Sequence, residues 1–112
     1  MSTAFALEAH RLRQAAGLSA EQIARATGAA TSTVRGWLGL RSEPSGARAE
    51  RVAELSAITD RLERVMPRHY IPLWLSKPNE ALGDEKPIDV IAAGEYRQVA
   101  RVIAAIEDPG AT

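Results

Sequence analysis

Apolar residues in this chain recur at intervals of three and four, and nowhere do they alternate with polar residues for long enough to make a strand. That regularity points to packed helices alone, an all-α fold. In "ARAERVAELSAITDRLERVMP" (47–67), Val52, Leu55, Ile58, Leu62 and Val65 make one continuous stripe, and Pro67 is expected to end the helix. "TAFALEAHRLRQAAG" (3–17) places Phe5, Ala9, Leu12 and Ala16 on one face, with Gly17 as its stop. "GEYRQVARVIAAIED" (94–108) does the same with Tyr96, Val99, Ile103 and Ile106, before Pro109 and Gly110 forbid continuation.

Between the first and fourth helices the spacing is tighter. Ser19 is placed to cap "AEQIARAT", Gln22 stands three residues on in the reciprocal position, and Gly28 closes the helix. "TSTVRGWL" follows as a short third helix with Val34, Trp37 and Leu38 inward, and "LRSEPSG" is a loop by composition. The small Ala24 would let the second helix approach the third, and Gly28 would supply the positive φ of a tight turn. Residues 18–38, "LSAEQIARATGAATSTVRGWL", thereby resemble the helix-turn-helix of phage-repressor-like (Xre-type) DNA-binding domains. The resemblance implies a third helix facing a major groove through Thr31, Ser32, Thr33, Arg35 and Gly36, with Arg41 and Arg48 near phosphates. A tight helical hairpin that only builds core has the same pattern. Arg35 is the one side chain on that face suited to bidentate base contact. With so few cations to neutralise phosphates, useful DNA binding is expected to need a dimer, and a decayed DNA face also fits.

The segment after Trp74, "WLSKPNEALGDEKPIDVI", breaks helical patterning with Pro78, Gly83 and Pro87. By local chemistry Ser76 and Asn79 can each cap a one-turn helix whose first turn would hold Pro78, and Gly83 would end it. Pro87 would open another short helix, while Trp74, Leu82 and Ile91 are expected in the core. Trp74, Leu75, Pro78, Asn79, Ala81, Leu82, Gly83, Pro87, Val90, Ile91, Gly94, Val99, Ile103 and Ile106 together resemble the C-terminal domain of the Xre/MbcA/ParS antitoxin family. One departure is Lys86, a poor cap where such segments often carry Ser or Thr. Asp89, in the first turn, would offset it at the positive end of the helix dipole.

The resemblance implies a bacterial type II toxin–antitoxin system. Its partner would be a RES-domain toxin that consumes NAD, blocked when the C-terminal helix and tail enter its active site. On this chain that element comprises Ile106, Glu107, Asp108, Pro109, Gly110, Ala111 and Thr112; a frayed terminus is the plain alternative. The expected organisation is a helix-turn-helix segment over 1–66 and a toxin-binding segment over 67–112. Operator DNA, a homodimer and a larger toxin–antitoxin assembly are the other partners implied. A second function class remains open, a transcriptional repressor whose C-terminal part only dimerises.

Catalysis by this chain finds no support. It has no cysteine, and His10 and His69 lack the spacing of a metal face, so no metal or cofactor is expected. Glu80, Asp84, Glu85 and Asp89 cluster, yet nothing around them suggests desolvation for acid–base work. No phosphate loop or dinucleotide fingerprint appears. Residues 1–46 carry five Arg against three Glu, and residues 47–112 nine Lys or Arg against eleven Asp or Glu, so a mild basic-to-acidic asymmetry underlies the net charge of zero. No apolar run approaches the ~20 residues of a membrane span, and no signal-peptide core is visible. A cytoplasmic location without membrane contact is therefore expected.

Overall fold

Local signals place both ends of the helix capped by Ser19 and the start of the helix opened by Pro87. The structure, a computed structural model, describes residues 4–110. Seven α-helices occur among them: α1 (Ala4–Gln14), α2 (Ala20–Thr27), α3 (Thr31–Leu38), α4 (Gly46–Leu62), α5 (Ile71–Ser76), α6 (Pro87–Ala92) and α7 (Tyr96–Glu107). Two 3-10 turns, Arg68–Tyr70 and Glu80–Leu82, flank α5, and no strand is present among the described residues.

The capping box at α2 forms as the sequence predicts. Ser19 Oγ accepts from the Gln22 N–H at 3.1 Å, and Gln22 Oε1 accepts from the Ser19 N–H at 3.1 Å. Gly28 turns the chain at φ 76° and sends its N–H to the Ala24 carbonyl. One helix face and one helix end differ from expectation. α1 buries Ala6, Ala9 and Leu12, while Phe5 remains 39% exposed at the margin of the stripe. α4 closes at Leu62, not at Pro67. Proline disfavours the helical conformation for the residue before it, and the chain winds down through three-residue bonds from Arg64 to Arg61 and from Val65 to Leu62. Val65 is accordingly only half-buried.

One apolar cluster runs through every α-helix. It includes Leu12 of α1, Ile23 of α2, Trp37 of α3, Leu55 and Leu62 of α4, Ile71 and Leu75 of α5, Ile91 of α6 and Ile103 of α7. α2 lies at its centre and packs on α3, α4 and α6. Two buried hydroxyls inside are satisfied locally: Thr27 Oγ1 donates to the Ile23 carbonyl at 2.8 Å, and Thr59 Oγ1 to that of Ser56 at 3.0 Å. Trp74, expected in the core, is half-buried and packs against its edge. Among the described residues, no helix is long and apolar enough to cross a membrane.

Candidate functional site

Two surfaces carry the residues singled out by sequence. The first is the outer side of α3. Burial of Val34 and Trp37 fixes its rotation and leaves Ser32 and Arg35 exposed, with Thr31 and Thr33 partly so. Arg41 is exposed and joins this face by donating from Nη2 to the Arg35 carbonyl at 3.5 Å. Arg48 is exposed at the start of α4. Gly36 is less open than its position suggests. The turn after α3 folds back so that its carbonyl accepts from the Arg41 N–H at 2.9 Å, and a Cβ there would meet Ser42 Oγ at 2.8 Å. Arg35 does not stand alone, because Nη2 approaches Glu21 Oε1 of α2 at 3.3 Å. Arg13 borders the same shallow cleft as Glu21 and Arg35, a neighbour that sequence spacing did not suggest.

The second surface is built by the segment from α5 to α7. Asn79 organises its loop. The Asn79 carboxamide oxygen accepts from the Ala81 N–H at 3.0 Å, its carbonyl accepts from Leu82 and Asp84, and its N–H donates to Glu85. Gly83 then turns at φ 65°. Leu82 and Pro87 are buried. Pro78 is exposed and precedes Asn79 outside the 3-10 turn, so the one-turn helix starts from Asn79 and not from Pro78. Ser76 caps nothing. It ends α5, and its Oγ accepts from Gln22 Nε2 at 2.9 Å. Lys86 makes no side-chain cap for α6, as its chemistry implies. Asp89 does lie in the first turn of α6, and its carboxylate also takes both prongs of Arg25 from α2, at 2.6 and 3.0 Å.

The chain's last described stretch combines order and exposure. Val99 and Ile103 are fully buried, and Ile106 is 38% exposed. Glu107 is held by Arg61 of α4, whose Nε donates to Oε2 at 3.1 Å and whose Nη2 donates to Oε1. These hydrogen bonds keep the Glu107 carboxyl below the usual glutamate range. Asp108 sends its N–H to the Ala104 carbonyl, and Pro109 and Gly110 are exposed. Ala111 and Thr112 lie outside the described residues.

Comparison with known proteins bears on both surfaces. Residues 71–108 match the family model of the antitoxin Xre/MbcA/ParS C-terminal toxin-binding domain. The mycobacterial cidal antitoxin MbcA of Mycobacterium tuberculosis is 30% identical over 92 residues, which span 82% of this chain and 81% of that protein. The chain belongs to the Xre/MbcA/ParS antitoxin family. The MbcA antitoxin of Mycobacterium bovis aligns equally well. Among solved structures, the fold is similar to a chain in the crystal structure of the M. tuberculosis MbcT–MbcA toxin–antitoxin complex. The TM-score is 0.82, identity is 27%, and the alignment covers 96% of each chain. The matched antitoxin segment begins with α5 and ends one residue past α7.

Proposed function

We propose that this chain is the antitoxin of a type II pair that binds and neutralises a RES-domain, NAD-degrading toxin in the cytoplasm. The observation that carries the reading is the likeness over 96% of the chain to a component of a toxin–antitoxin complex. Residues 67–112 hold the partner, and the end of α7 with the tail occludes the toxin's active site. The family motif residues Trp74, Pro78, Asn79, Leu82, Gly83 and Pro87 serve mainly to build the platform for α7. This assignment is supported by the capping role of Asn79 and the burial of Leu82 and Pro87.

Residues 1–66 form a helix-turn-helix segment through which a dimer represses its own operon. Support comes from the α2–Gly28–α3 geometry and from Arg35 and Arg41 sharing an exposed face. Thr31, Ser32 and Thr33 complete the contact set. The reading assigns no catalysis to this chain.

Deletion of Asp108–Thr112 tests it. Neutralisation of the RES-type toxin encoded in the adjacent reading frame is expected to be lost, measured as growth under toxin expression, while operator binding in a mobility-shift assay persists. Full rescue by the truncated chain would overturn tail occlusion.

A further inference from the structure

α7 ends against its own dipole. Its last residue is Glu107, Asp108 follows, and its last turn carries no basic residue. A carboxylate there faces the partial negative charge of unsatisfied carbonyls and is locally unfavourable. The compensating charge comes from another element. Arg61, near the end of α4, grips both carboxylate oxygens of Glu107. The two side chains are 31% and 29% exposed, less than the partners of the Arg11–Asp60 and Arg25–Asp89 pairs. Arg64 adds a second positive charge nearby. Apolar anchorage weakens over the same stretch: Ile103 is fully buried, whereas Ile106 is 38% exposed. The pose of the final turn of α7 therefore depends on this ion pair as well as on packing.

We propose that Arg61 is a positioning residue for toxin inhibition, fixing through Glu107 the direction in which the chain beyond Asp108 leaves α7. The proposal rests on the reading of that tail as the inhibitory element. Glu107 is thereby committed within the antitoxin, and toxin contact falls to Ile106 and the residues after Asp108. A last turn held in its bound pose loses less freedom on association, which lowers the cost of binding.

The test uses the full chain and the RES-type toxin of the adjacent reading frame, with inhibition of NAD consumption as readout. Variants are Arg61→Gln, Glu107→Gln and the exchanged pair Arg61→Glu with Glu107→Arg. Arg61→Gln is expected to raise the inhibitory concentration about tenfold, the scale of one or two side chains ordered on binding. The exchanged pair should recover most of that loss. Amide exchange at Ala104–Asp108 should quicken in Arg61→Gln and slow again in the exchanged pair. Inhibition by Arg61→Gln at wild-type strength would overturn the proposal. So would an exchanged pair as weak as Glu107→Gln with amide exchange restored, because Glu107 would then touch the toxin itself. If the wild-type chain fails to inhibit, or the Asp108–Thr112 deletion inhibits fully, the antitoxin or tail reading falls, and the role of Arg61 falls with it.

Discussion

Gly28 isolates the cost of a backbone angle. It turns at φ 76°, and a Cβ added there would meet nothing within 4 Å. Gly28→Ala should therefore destabilise by the left-handed penalty alone, about 1–2 kcal/mol in denaturant unfolding. Arg35 pairs with Glu21 and is also the proposed base reader. Arg35→Ala is expected to weaken operator binding by about 1–3 kcal/mol if the side chain reads a base, while its exposed pair with Glu21 contributes little to stability. Glu107 offers a spectroscopic handle. Its folded pKa lies below the usual value through Arg61, so the pair's contribution is present above the unfolded glutamate pKa. It is lost as pH falls through the depressed folded value. The carboxyl carbon of Glu107 should titrate low by NMR in the wild type and return towards the ordinary range in Arg61→Gln.

Short elements with strong local chemistry were readable from the sequence. Ser19, Gln22 and Gly28 bound α2, and Asn79 and Gly83 bound the 3-10 turn, because caps and left-handed turns need particular residues at fixed offsets. The buried stripe of α4 was legible from periodicity as far as Leu62. Interactions between elements were not. Arg25 meets Asp89 across 64 positions, and Arg61 meets Glu107 across 46. With 14 basic and 14 acidic residues in the chain, nothing local chooses among the possible pairs. The spacing of Gln22 marks it as a cap, and its second task is equally hidden from the sequence: Nε2 also donates to the Pro72 carbonyl at 3.0 Å and to Ser76. α6 is short and, like α5, has no side-chain cap, so its packing residues do most to hold it. Ile91→Ala should cost about 2–5 kcal/mol in thermal or urea unfolding, the range for a large buried aliphatic.

The described residues share one core, although the proposed tasks divide near residue 66. The chain's two tryptophans fall on opposite sides of that division, Trp37 buried in α3 and Trp74 at the edge of the core in α5. Single-tryptophan variants, Trp37→Phe and Trp74→Phe, should report coincident urea midpoints relative to their own circular dichroism. Separated midpoints would mean that the halves fold independently. Recombination would find few harmless places to cut such a chain. A crossover near residue 66 that imported another C-terminal half would part Arg25 from Asp89 and Gln22 from the Pro72 carbonyl and Ser76. A lineage moving to a new toxin is thus expected to change by point substitutions along the open side of α7 and its tail. Wholesale exchange would work only where the imported half brings matching partners for α2.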